Sequence, residues 1–163
     1  MPIVLTPDQR RECINRIRRF PAELEAALQG LSEEQLTARY DPTEWSVAQN
    51  VHHVADSHLN AYIRTRLILT EDHPRVTAYR QDLWAELPDA KTPALETSLS
   101  ILRGLHERWT QLLDSLQPSD FARSGIHPEN DNYTIDNIVN TYANHGAGHI
   151  EQLQRQLAAG KVI

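Results

Sequence analysis

The sequence predicts an all-α protein, a four-helix bundle with short extra helices in its connections, folded as a single domain over residues 1–163. Two observations carry this. Four segments of helical length each open on a start signal and then place apolar residues at three- and four-residue spacing. No segment shows the strict alternation of a half-buried strand, so no β-structure is expected, and there is no internal repeat or low-complexity tract to suggest a second unit.

The first helix is expected from about Thr6 to Leu28, where Thr6-Pro7-Asp8-Gln9 supplies an N-cap, a proline at the first helical position and a capping glutamine. Pro21 is expected to kink or interrupt it, because proline removes one backbone donor and crowds the preceding turn. The second runs from Ser46 to about Thr70, opened by the Ser46/Gln49 capping box and closed by Glu71 to Pro74. The third follows Thr92-Pro93 and reaches about Leu116, with Leu95, Leu99, Leu102, Leu105, Leu112 and Leu116 on its buried side and Pro118 beyond its end. The fourth starts near Thr134, carries Ile135, Ile138, Val139, Tyr142, Leu153 and Leu157 on one stripe, and ends before Gly160. The connections are long for a minimal bundle, so Ser32 to Ala38, Tyr79 to Leu87 and Pro118 to Ala122 are read as short helices.

Composition narrows the function classes. The 163 residues are enough to bury a sizeable core, so no metal or disulfide is required merely to fold. The chain is 40% hydrophobic and 23% charged, with a mean hydropathy of −0.53, which fits a soluble globular protein. No run of about 18 apolar residues and no secretory leader is present, so the expectation is a cytoplasmic protein with no membrane partner. A net charge of −6 speaks against a nucleic-acid binder, which draws on Lys and Arg. Arg10, Arg11, Arg16, Arg18 and Arg19 crowd the first helix and are read as an exposed helix face rather than an anion site. The lone Cys13 has no partner for a disulfide and is read as a partly buried helix residue.

The histidines carry the chemistry. His145 and His149 stand four residues apart in the fourth helix, so both project from one face, one turn apart, within reach of a single ion. A third ligand must come from elsewhere, and the second helix offers His52, His53 and His58. Projection at 100° per residue puts the apolar centre of that helix near Val47, Val51, Val54 and Tyr62, which favours His58, then His52, and disfavours His53. Two glycines interrupt His145-Gly146-Ala147-Gly148-His149, each costing about 1 kcal/mol against alanine in a helix interior. Close approach of a neighbouring helix, or space for a substrate, would compensate.

The blocks WSVAQNVHHVADSHLNAYIR, LTED, LHERW, IHPEN and NTYANHGAGHI together resemble the YfiT group of the DinB superfamily, and the match spans nearly the whole chain. The resemblance implies a four-helix bundle of unusual connectivity, a homodimer, and one divalent metal held by three histidines and water. Its ligand positions correspond to His53, His145 and His149, with His52 in reserve. The Gly-Ala-Gly between the last two histidines departs from relatives that carry bulkier residues there, which leaves substrate shape open.

Three imidazoles with an open fourth position suit catalytic Zn²⁺, with Ni²⁺, Co²⁺ or Fe²⁺ as chemically reasonable alternatives. Water at such a position can ionise near neutral pH and make the protein a metal-dependent hydrolase. A thiol there would be held as thiolate, so the resemblance equally implies an S-transferase using a low-molecular-weight thiol such as bacillithiol. The third possibility is a bundle in which the metal only stabilises the fold. Asp56, His58, Arg64 and Glu129 are candidates to orient a small-molecule substrate or move a proton, and Trp84 and Trp109 are core candidates. A di-iron centre lacks its Glu-x-x-His motifs, and no serine or cysteine triad signature appears.

Overall fold

The computed structural model describes residues 3–160. Its elements in chain order are α1 (Pro7–Leu28), α2 (Glu33–Thr37), α3 (Val47–Thr70), α4 (Gln81–Trp84), α5 (Glu96–Asp114), the strands β1 (Ser124–His127) and β2 (Asn130–Thr134), and α6 (Ile135–Ala159). Single 3₁₀ turns occupy Pro88–Lys91 and Asp120–Ala122. The long helices α1, α3, α5 and α6 form the bundle.

Helix starts are set by side chains that satisfy otherwise free backbone donors. Reciprocal capping boxes join Thr6 to Gln9, Ser32 to Gln35, Ser46 to Gln49 and Thr134 to Asn137. α5 begins later than expected, with Leu95 at its N-cap and no side-chain cap. α1 passes through Pro21 without a break.

In cross-section α1 packs principally against α5 and α6, and α3 against the same two. Consecutive α1 and α3 are therefore diagonal, as are α5 and α6. Cross-helix contacts fix the directions. Ser57 meets Tyr142, His58 meets His145 and Asn50 meets His149, so α3 and α6 are antiparallel. His52 meets Ser98 and His58 meets His106, so α3 and α5 are parallel neighbours. Parallel neighbours need a connection that travels back along the bundle, and residues 71–95 make that return. α1 runs parallel to α6 through Arg10–Asp136 and Arg16–Asn144, and antiparallel to α5 through Arg18–Asp114 and Glu25–Arg103.

The expectation of no β-structure is corrected by the hairpin between α5 and α6. β1 and β2 pair antiparallel, Ser124 with Thr134 and His127 with Asn130, with an irregularity between Gly125 and His127. Local propensity does not explain Asn130-Asp131-Asn132, because Asn and Asp are poor strand formers. The hairpin is held from outside. Ile126 donates to the Pro74 carbonyl at 2.8 Å and accepts from Val76 at 2.9 Å. Gly125 is required there, since a Cβ would lie 2.7 Å from the Pro74 oxygen.

Two apolar clusters fill the bundle. One contains Ile14, Ile17, Ile68, Trp109, Ile135 and Ile138, and the other Phe20, Leu24, Val51, Leu102 and Leu153. Between them lies a polar layer with His58 of α3 and His106 of α5 at its centre, exposed by 0% and 1%.

The five arginines of α1 are all engaged. Arg10 forms a bidentate pair with Asp136, both distances 2.8 Å. Arg11 reaches Asp8, Arg16 reaches Asn144, Arg18 reaches Asp114, and Arg19 lies by Glu12 and Glu23. Trp109 is fully buried, whereas Trp84, read as core from sequence, is 39% exposed and packs its ring on Tyr79.

Candidate metal centre

His53 on α3 and His145 and His149 on α6 each offer a ring nitrogen, and the three nitrogens lie within 4.8 Å of one another. The antiparallel register of α3 and α6 brings them together across 96 residues of sequence at most. The Nε2 atoms of His145 and His149 are 3.2 Å apart. Ligands about 2.0–2.1 Å from one zinc ion in tetrahedral array are separated by about 3.3–3.4 Å, so this edge has the length an ion needs.

Burial keeps the rings unprotonated, as metal ligands must be. It lowers the pKa of His53 and of His145 to about 3, helped by the charge each would feel from His149, and that of His149 to about 4. Partners behind the rings orient two of them. His149 Nδ1 is 2.8 Å from Asn50 Oδ1, and His145 Nδ1 is 3.1 Å from His58 Nε2. His53 instead packs against the Trp45 ring at a centroid distance of 4.7 Å.

Two clefts meet at His145. One, of about 700 Å³, is lined by Ser57, Arg64, Tyr79, Arg80, His127, Glu129 and Tyr142 as well as His145. The other, of about 480 Å³, contains Trp45, His53, His149 and Gln152. Gln81 and Asp82, on the return crossover, border both. The crossover thus forms the wall over the cluster, and the β-hairpin contributes His127 and Glu129 to its far side.

The structure separates the remaining sequence candidates. His52, the reserve ligand, is bound at both nitrogens, to Ser98 Oγ at 2.8 Å and to the Thr92 carbonyl at 2.9 Å, and ties α3 to the start of α5. Asp56 lines a different cleft with Leu59 and Trp84, where burial and the neighbouring Asp89 charge raise its pKa. His58 stands behind His145 rather than in either cleft. Arg64 and Glu129 do line the larger cleft, and Arg64 is pinned there by two donations to the Thr77 carbonyl, from Nε at 3.1 Å and Nη2 at 2.6 Å. Sequence reasoning passed over Asn50 and His106. The available signal was a polar residue on the apolar face at helical spacing, Asn50 between Val47 and Val54 and His106 between Leu102 and Trp109.

The two glycines between the histidines differ. A Cβ on Gly146 would lie 2.4 Å from the Phe20 ring, whereas one on Gly148 would meet nothing within 4 Å among the described residues. Close helix approach therefore accounts for Gly146, and the structure offers no packing reason for Gly148.

Comparison with known proteins agrees with this architecture. The model of the DinB superfamily matches residues 16–153. Relatives provisionally named as metal-dependent hydrolases include one from Bacillus mycoides (strain KBAB4), 42% identical over 147 residues that cover 88% of this chain and 84% of the relative. Another, from Oceanobacillus iheyensis, is 42% identical over 142 residues, covering 87% and 82%. The structure of YfiT from Bacillus subtilis, described as a probable metal-dependent hydrolase with an unusual four-helix bundle topology, superposes with a TM-score of 0.87. That match has 36% identity over 97% of this chain and 93% of YfiT. With its bundle, its histidine cluster and a family match across most of its length, the chain belongs to the DinB superfamily.

Proposed function

We propose that this protein is a metal-dependent hydrolase acting on a small molecule, with one divalent ion per chain, Zn²⁺ in the first instance, held by His53, His145 and His149. The observation that carries the reading is the convergence of three unprotonated imidazoles where two clefts meet. A divalent ion there supplies Lewis-acid activation of a water molecule or a thiol. The chain's own residues do the rest. Arg64, fixed by Thr77, offers a positive charge to an anionic group of the substrate. His127, whose pKa burial and Arg64 lower, lines the cleft as the candidate proton acceptor. Gln81 and Asp82 close the space above the cluster.

One observation favours a second reading, metal-dependent S-transfer from a low-molecular-weight thiol. A hydrolase needs room for one organic substrate, while two clefts sharing His145 suit two. The deciding experiment is elemental analysis of untagged protein, followed by parallel assays of ester and amide hydrolysis and of thiol conjugation to an electrophile. We expect about one ion per chain, lost in His53→Ala, His145→Ala and His149→Ala, with turnover lost alongside it. Metal retained in all three variants would overturn the site. A stoichiometric ion with no turnover in either assay would leave a metal-stabilised bundle.

A further inference from the structure

Buried imidazoles run end to end from α1 to the ligand cluster. His106 Nδ1 lies 2.6 Å from the Ile17 carbonyl oxygen, His106 Nε2 lies 2.8 Å from His58 Nδ1, and His58 Nε2 lies 3.1 Å from His145 Nδ1. A carbonyl oxygen only accepts, so His106 carries its proton on Nδ1 and, when neutral, a lone pair on Nε2. His58 must then donate through Nδ1 and accept at Nε2. His145 in turn donates through Nδ1, which leaves the lone pair of its Nε2 directed at His149. One acceptor at the start sets the proton position on every ring.

That acceptor is free because of the sequence. In an α-helix the Ile17 carbonyl would receive the N–H of the residue four positions on, which is Pro21 and has none. The chain is also clamped. Phe20 stacks on His58 at 5.2 Å and 26°, and it reaches that position only because Gly146 has no Cβ in its way.

The second arm is set in the same way. Asn50 Nδ2 donates to the carbonyls of Ser46 at 3.1 Å and Trp45 at 3.4 Å, which leaves Oδ1 as acceptor. His149 therefore donates through Nδ1 and keeps its Nε2 lone pair. Two lone pairs then face each other at 3.2 Å, an arrangement that repels until a cation lies between them. Burial, which brings His106 down to about 4, is consistent with neutral rings.

We propose that the Ile17 carbonyl, freed by Pro21, fixes through His106 and His58 the tautomer in which His145 offers Nε2 to the ion, so that His58 and His106 are positioning residues of the metal centre. This rests on the three-histidine reading above. It assigns to α1, which supplies no ligand, control over how ready His145 is to bind, since a ring protonated on Nε2 would have to exchange that proton before coordinating through it.

The test reads tautomers and affinity, not turnover. Long-range ¹H–¹⁵N spectra of the metal-free wild type at neutral pH should show Nδ1–H on His106, His58 and His145. Zn²⁺ affinity, measured by competition with a chromophoric chelator, should fall in His106→Leu, by at most the about 10–100-fold usual when the partner directly behind a ligating histidine, here His58, is removed. It should recover in His106→Gln, which restores one donor and one acceptor. Nε2–H on His145 in the metal-free wild type, or wild-type affinity in a folded His106→Leu, overturns the proposal. Should His106→Leu fail to fold, the wild-type tautomers decide it alone. Failure of the parent reading looks different: His145→Ala and His149→Ala would keep stoichiometric Zn²⁺ whatever the tautomers.

Discussion

Replacing the two glycines of the His145–His149 turn one at a time should move stability in opposite directions. Alanine in place of glycine inside a helix gains about 1 kcal/mol from backbone entropy at either position. At Gly148 nothing among the described residues opposes that gain, because the new methyl meets none of their atoms within 4 Å. At Gly146 the methyl would lie 2.4, 2.7 and 2.9 Å from three carbons of Phe20. Ordinary carbon contacts are about 3.5–4.0 Å, so the ring or the helix must retreat by about 1 Å or more. Phe20 is 3% exposed and is held against His58 and His106, so it has no free side to turn toward. Overpacking of this kind costs about 1–3 kcal/mol, which exceeds the helix gain and leaves Gly146→Ala about 1 kcal/mol less stable. For a chain of this length that is a fall in Tm of about 2–4 °C, against a comparable rise for Gly148→Ala. The assay is thermal unfolding followed by circular dichroism in excess chelator, so that metal binding does not contribute. If both variants gain stability, α1 and α6 do not approach as closely at Phe20 and Gly146 as described.

Other outcomes follow from the same structure. Asn50→Leu removes the acceptor behind His149 and should weaken Zn²⁺ binding about 10–100-fold in a chelator competition, with the fold intact by circular dichroism. Asp136→Ala strips the partner from Arg10 in a pair whose side chains are only 13% and 4% exposed. It should cost about 3–5 kcal/mol in urea unfolding, while Arg11→Ala, at an exposed pair, should leave the midpoint unchanged. The metal-free protein should lose stability as pH falls. His53, His145, His149 and His106 have folded pKa values of about 3 to 4 against 6.5 unfolded, so below about 6.5 the unfolded chain binds more protons. Unfolding free energy then drops steadily from pH 6.5 toward 4, which urea titrations across that range will show. A flat profile would mean that the rings are not buried as described.

The helices were legible because their signals are local. Thr6/Gln9 and Ser46/Gln49 fix two starts through hydrogen bonds spanning three residues, and proximity along the chain is what a sequence displays directly. The hairpin was not legible, because its stability comes from Pro74 and Val76, some 50 residues away, and not from β-propensity in Asn130–Thr134. Projection also pointed away from His53, for a physical reason. Every residue from Val47 to Ala55 is buried, so this half of α3 has no solvent face from which to measure an apolar direction. His52 turns to α5, His53 to Trp45 and α6, and His58 to the centre, with exposures of 7%, 4% and 0%. Family resemblance selected His53 where periodicity could not. Pro21 predicts a kink or interruption in α1, yet the helix runs through it. Its effect is instead to release one carbonyl, visible only once His106 is seen opposite.

The placement of two of the three clustered histidines on the last long helix bears on the order of assembly. During synthesis α1, α3 and α5 are complete while His145 and His149 have yet to appear, so His53 alone faces a half-formed layer. The three-nitrogen cluster is closed by contacts separated by 92 and 96 residues, and contacts of such span form late. An ion that requires all three ligands would be captured only as α6 docks, and its binding free energy would then hold that final helix in place. Metal supply would in that way act on the maturation of the protein, with a metal-starved chain left holding α6 by apolar packing, the Arg10–Asp136 pair and its few hydrogen bonds to α1 and α3.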